Sequence, residues 1–262
     1  MSTLVFDVET VPVEFLYARL LEMPDDTSLP DVEAAWAAAE KPFKPGLQRI
    51  VSLAVAWIGD SGALQKVATL GPDEPTALHQ FFETLHSHHP VLTGWNTSGF
   101  DLPVILTRAL VHRIDVGDFY KYGLPYNGYL KRYADRDHRD LMDLQSFYRA
   151  VKPLSLNEMA LLLGVPGKLD TAGNQVSTLY AEGEMQRIHD YCQHDVLTTA
   201  WVYRFIAEHR GWWTSEQAAK FEESSAAFLA EHRGTHWDEW ATTAAAVAGE
   251  TVRRIADASE GA

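Results

Sequence analysis

Leu4-Val5-Phe6-Asp7-Val8-Glu9-Thr10 is the stretch on which the reading of this chain turns. The apolar, β-branched and aromatic side chains from Leu4 to Val8 predict a buried strand with the acids at its C-terminal end. Side chains i and i+2 of a strand project to one face, so Asp7 and Glu9 stand side by side there. Two carboxylates so placed repel. A hard divalent cation such as Mg²⁺ or Mn²⁺ relieves the repulsion by taking carboxylate oxygens as ligands. The pattern alone decides nothing, because Asp31-Val32-Glu33 repeats it after Pro30. There it opens a predicted helix, and acids suit a helix N-terminus.

Working outward, Ile50–Ile58 alternates like a strand, Gly59-Asp60-Ser61-Gly62 reads as a turn, and Leu64–Leu70 returns as a hairpin partner. Prolines 24, 30, 42 and 45 mark a loop that holds a short Ala-rich helix at Asp31–Glu40. Helical spacing at Thr76–His86 is broken by Pro90, after which Val91–Trp95 reads as a strand leading into a helix from Asp101 to His112. Leu141-Met142-Asp143-Leu144 is a short strand or a helix start. Ser155-Leu156-Asn157-Glu158 has the capping pattern of a helix that Gly164 ends. One long helix is predicted from Met185 to about His209. A hairpin joined to a parallel crossover excludes an all-parallel sheet. The expected fold is α/β, a ribonuclease-H-like mixed sheet flanked by helices. The expected domains are residues 1–210 and a helical C-terminal extension, residues 211–262, packed on the core through some of its tryptophans, Trp212, Trp213, Trp237 and Trp240.

At 262 residues and 46% apolar, the chain can bury a full core. The single cysteine, Cys192, excludes an intrachain disulfide and fits a reducing compartment. The N-terminus lacks a basic leader segment, and no apolar run reaches the roughly 18 residues of a membrane helix, so a cytoplasmic protein is expected. A formal charge of −14 argues against broad affinity for nucleic acid. Charge is uneven, however. Lys121, Lys131, Arg132, Arg136, Arg139, Arg149 and Lys152 outnumber Asp135, Asp137, Asp140 and Asp143, and Tyr120, Tyr122, Tyr126, Tyr129 and Tyr133 are interleaved with them. Cations and rings together suit a single strand, with Lys131 and Arg132 as contacts; a solvated, loop-rich surface is the plainer reading.

Two further segments carry acids in a telling context. Asn96-Thr97-Ser98-Gly99-Phe100-Asp101 follows the strand at Val91–Trp95, and Tyr191-Cys192-Gln193-His194-Asp195 lies on the long helix. Tyr191 and Asp195 are i and i+4, on one helix face. Taken singly, Tyr191 reads as an amphipathic core tyrosine and Asp101 as a first-turn helix acid.

In this order, the three segments resemble the three motifs of the DEDD 3′–5′ exonucleases, in the subtype with tyrosine in the third motif. The likeness is to the exonuclease domain of family B DNA polymerases and to stand-alone predicted exonucleases related to it. Leu154-Ser155-Leu156-Asn157-Glu158-Met159-Ala160 and Leu163-Gly164-Val165-Pro166-Gly167-Lys168 agree with it, and it covers about residues 3–209. The resemblance implies two divalent ions, Mg²⁺ or Mn²⁺, held by Asp7, Glu9, Asp101 and Asp195, with Tyr191 orienting the attacking water. It implies Thr10 and Asn96 as contacts to the terminal nucleotide, while Phe100 stacks on it or only packs. The implied activity is removal of nucleoside 5′-monophosphates from the 3′ end of single-stranded DNA, with DNA repair or replication proteins as partners. An exoribonuclease, and a catalytically silent nucleic-acid-binding module, are the alternatives.

Overall fold

A computed structural model describes residues 1–123, 126–167 and 175–247. Strand β1 (Thr3–Pro12) continues the predicted strand through both acids. Helices α1 (Glu14–Leu20) and α2 (Leu29–Ala38) follow, and Ser28 caps α2 by accepting from the Asp31 N–H. That makes Asp31 a first-turn helix acid. The hairpin is formed by β2 (Gln48–Ile58) and β3 (Leu64–Thr69). Next come α3 (Glu74–His88), β4 (Val91–Gly94) and α4 (Asp101–Val111). Then follow α5 (Gly117–Lys121), β5 (His138–Asp140), α6 (Leu141–Gln145), α7 (Leu156–Leu162) and α8 (Val176–Ala181). The long helix α9 (Met185–His209) precedes α10 (Ser215–Glu231) and α11 (Trp237–Val247).

The strands lie in the order β3-β2-β1-β4-β5. β2 runs antiparallel to β1 and β3, whereas β4 runs parallel to β1 and β5. This is the mixed, helix-flanked sheet of a ribonuclease-H-like α/β fold. The two faces of β1 part company as alternation requires. Leu4, Phe6 and Val8 pack with Leu78 and Phe81 of α3 and Leu102 and Ile105 of α4. Val5 packs instead with Cys192, Val196 and Ala200 of α9. Asp7 and Glu9 are in step with Val5, so the carboxylates face α9.

Of the two readings of Leu141–Leu144 the helix start holds, and a strand occupies the three residues before it, too few for a period-2 pattern. The tyrosine-rich stretch divides: Tyr126 and Tyr133 are exposed, whereas Tyr129 is buried, stacked on Phe119 and Tyr122 and donating to the Pro90 carbonyl. Ser155 and Glu158 form the capping box, and Gly164 follows that helix at φ 71°, the left-handed region that glycine enters without strain. α10 packs on α9 and β3, and Trp213, Phe221, Trp237 and Trp240 join the α9 core. Trp212 lies under the Arg139 guanidinium, 3.9 Å from it. Residues 248–262 of the expected extension, and Lys168, lie outside the described residues. No helix among the described residues is long and apolar enough to cross a membrane.

A buried ion cluster ties α3 to α4. Glu74 accepts from Arg108 through both carboxylate oxygens (2.7 and 2.6 Å), from His112 (2.8 Å) and from the Ile50 N–H (2.7 Å). Burial would raise the Glu74 carboxyl, but these bonds outweigh it and hold it below the usual value of 4.5. The side chains of Glu74 and Arg108 are each only 11% exposed, so Glu74→Gln leaves an uncompensated buried charge, costing about 3–5 kcal/mol. A lowered folded pKa adds stability above the unfolded value and loses it as pH falls. Urea unfolding should therefore show a wide gap between wild type and variant at pH 7 that narrows below about pH 4.5. A gap independent of pH would place the loss in packing.

Candidate active site

Parallel pairing of β1 with β4 covers Thr3, Leu4 and Val5 and then stops. At the end of β4, Gly94 lets the chain turn away: a Cβ there would stand 2.9 Å from the Phe6 carbonyl oxygen and strike Thr97. The turn returns through Asn96 (φ 64°) to the first residue of α4, where the Asp101 carboxylate accepts the Val8 N–H at 3.1 Å. Asp101 is thereby fastened to the residue between Asp7 and Glu9. The resulting crevice, at the carboxyl ends of two parallel strands, is where open α/β sheets place ligands.

From the other side α9 brings Tyr191, Cys192 and Asp195. The Cys192 thiol donates to Asp7, 3.6 Å from its carbonyl oxygen and 3.7 Å from Oδ2. Ligand atoms of Asp7, Glu9 and Cys192 all lie within 4.8 Å of one another. Tyr191 hydrogen-bonds to Asp195.

The electrostatics share one cause. Burial, then the charges of Asp101, Glu9 and Asp195, push the Asp7 carboxyl well above its usual 3.8. Burial pushes Asp101 up to about 7 despite the Val8 N–H bond. Tyr191 is raised by burial and then by Asp195, Glu9 and Asp7. Cys192 is raised by burial and then by Asp7 and Glu9. Burial is the first cause throughout, negative charge converging on Asp7 adds to it, and cations offset both. Thiolate sulfur suits soft cations, whereas carboxylate oxygen suits hard ones. The donors that remain are carboxylate oxygens, which fit Mg²⁺ or Mn²⁺.

Of the other residues singled out in the sequence, Thr10 is half-buried at a β-bulge next to Glu9. Asn96 Oδ1 accepts from Arg149 Nη2 (2.7 Å). Phe100 is half-buried against the exposed ring of Phe43, centroids 5.6 Å apart. Lys131 is exposed, and Arg132 is bound to Asp143. Sequence reasoning passed over Cys192, Phe43 and Arg149 as neighbours of the site. Cys192 was legible in principle, adjoining Tyr191 on the inward side of an amphipathic helix. Arg149 and Phe43 reach the site through tertiary packing, with no local signal.

Residues 41–244 match the profile of a family described as a predicted 3′–5′ exonuclease related to the exonuclease domain of PolB. The match takes in Asp101, Tyr191 and Asp195 and runs through α10 into α11. No curated protein matches the chain at a significant level. Among solved structures, the family B DNA polymerase of the hyperthermophilic archaeon Pyrobaculum calidifontis is similar at 17% identity and a TM-score of 0.52. That similarity covers 79% of this chain and 24% of the polymerase. E. coli exonuclease I in complex with a dT13 oligonucleotide is 16% identical, over 90% of this chain and 45% of its own, with a TM-score of 0.36. The chain thus spans about a quarter of the polymerase's length and less than half of exonuclease I's. With a profile match over more than three quarters of its sequence, the chain belongs to the family of predicted 3′–5′ exonucleases related to the exonuclease domain of PolB.

Proposed function

We propose that this chain hydrolyses the terminal phosphodiester bond at the 3′ end of single-stranded DNA, releasing nucleoside 5′-monophosphates. The supporting observation is the convergence of the Glu9, Asp101 and Asp195 charges on Asp7, beside Tyr191. Asp7, Glu9, Asp101 and Asp195 would hold two divalent ions. When bound, such a pair activates water and offsets charge on the phosphate and the leaving oxygen.

The chain's own residues do the rest. The Val8 N–H fixes Asp101, and the Cys192 thiol steadies Asp7, so both carboxylates are oriented before substrate arrives. Tyr191, raised above its ordinary 10, keeps its proton at neutral pH. Its hydroxyl orients the attacking water by a hydrogen bond and does not act as a base.

Tyr191→Phe is therefore expected to slow single-turnover cleavage by about tenfold, at or below the low end for a positioned proton-transfer group. Calorimetric Mn²⁺ affinity should stay nearly unchanged. Equal cleavage rates would reduce Tyr191 to a packing residue.

The test of function is digestion of one sequence as 5′-labelled single-stranded DNA, as RNA and as a blunt duplex, with Mg²⁺ or Mn²⁺. The DNA strand should shorten fastest. Preferential loss of the RNA would make the chain an exoribonuclease, and binding without shortening would make it a silent module.

A further inference from the structure

Beside the carboxylates lies a second polar cavity of about 340 Å³, lined by Asn96, Ser98, Gly99, Arg132 and Arg149. Gly99 is two residues from Asp101, so their Cα atoms are no more than about 7 Å apart. Two guanidinium groups meet here on one buried carboxylate. Arg132 grips Asp143 through Nε (2.6 Å) and Nη2 (3.0 Å), and Arg149 reaches it through Nε (3.2 Å). The two cations of the trio outnumber its one anion, and the nearby Asp140 carboxylate offsets part of that excess. Asp143 is 1% exposed, whereas the side chains of Arg132 and Arg149 are 42% and 45% exposed.

The surroundings are built to hold this arrangement. Asp140 accepts the N–H groups of Asn96 (3.1 Å) and Ser98 (2.8 Å), fixing the loop that forms one wall. A Cβ at Gly99 would come within 2.7 Å of Arg149 Nη2 and 2.6 Å of Asn96 Oδ1. Arg149 ends a run of three left-handed residues, Phe147 (φ 50°), Tyr148 (φ 55°) and Arg149 (φ 68°). Such a run is costly for side-chain-bearing residues and marks functional segments. It also leaves the Phe147 ring 71% exposed.

We propose that Arg132 and Arg149 form a subsite for a backbone phosphate of the bound strand. The inference rests on the exonuclease reading above. It also fixes the side: a 3′-end-removing enzyme has only the terminal nucleotide beyond the scissile bond, so any further phosphate lies 5′ of it. A phosphodiester matches the planar donors of two half-exposed guanidinium groups that line one cavity. Exposed Phe147 stands ready to stack on a base of the same strand.

The test uses the full chain and single-stranded oligodeoxynucleotides carrying one neutral methylphosphonate, moved stepwise from the 3′ end. Wild-type binding, followed by fluorescence anisotropy, should weaken about tenfold at one position 5′ of the scissile bond. Arg149→Gln should bind the unmodified strand about tenfold more weakly, lose that sensitivity, and lower the salt slope by about 0.7. Wild type that binds and cleaves but shows no sensitive position would overturn the subsite alone, without reliance on any variant. Equal sensitivity in wild type and Arg149→Gln, with matched melting temperatures, would overturn it too. Wild type that neither binds nor shortens the strand would overturn the exonuclease reading and the subsite with it.

Discussion

Asp7→Asn is expected to abolish hydrolysis while leaving the metal-free protein folded and more stable than wild type. Asp7 receives the charges of Asp101, Glu9 and Asp195 and the thiol of Cys192, so it is the residue on which the whole donor set converges. Losing its share of the charge stabilisation supplied at the phosphate, several kcal/mol, at about 1.4 kcal/mol per tenfold, lowers the rate by about 10³-fold or more. Stability moves the other way. The folded chain raises Asp7 above 3.8, so between that value and the folded one the folded state holds the extra proton. Stability of the metal-free wild type therefore falls as pH rises through this window, and the variant escapes that loss. Melting in EDTA should show the variant ahead at pH 8, with the gap closing towards pH 4, and Mn²⁺ should raise the melting temperature of wild type only. A variant that melts lower at every pH would assign Asp7 a structural role.

The second large effect is expected in the C-terminal helices. Trp240 is 1% exposed and its Nε1 donates to Thr198 Oγ1 on α9 at 3.1 Å. Its ring neighbours Trp201, which itself meets Phe221 of α10. We propose that residues 211–247 complete the hydrophobic core and are no detachable appendage. Trp240→Ala should cost about 3–5 kcal/mol. In a chain of this size that lowers the melting temperature by about 10 °C. Truncation after Arg210 should give a protease-sensitive chain, because the α9 surface around Trp201 and Tyr203 loses its cover. A proteolytic fragment ending near residue 211 that keeps full activity and melting temperature would contradict this.

How far the sequence reaches is clear from particular elements. The α9 helix is legible at both ends, since 25 residues of sustained period have room to declare themselves. β1 is legible because its apolar, β-branched run is closed by the acids at its C-terminal end. The meeting of Asp7, Glu9, Asp101, Tyr191 and Asp195 was readable through motif order, whereas the mechanism of their meeting was not. That Asp101 is held by the Val8 N–H follows from β4 ending at Gly94, which no local pattern announces. β5 is three residues long and owes its conformation to pairing with β4. Asp140, read only as part of a charge count, turns out to cap α6 and to fix the Asn96–Ser98 loop. The left-handed run at Phe147–Arg149 is invisible to propensity, because those residue types disfavour it.

The central claim is that these carboxylates remove nucleotides from a 3′ end, and the identity of the first product tests it most directly. A 3′-labelled single strand mixed with the full chain and Mn²⁺ should release labelled mononucleotide before any longer fragment, while the 5′-labelled strand shortens one nucleotide at a time. Both events should stop in EDTA and in Asp7→Asn. Internal fragments, or mononucleotide released first from the 5′ end, would contradict the account.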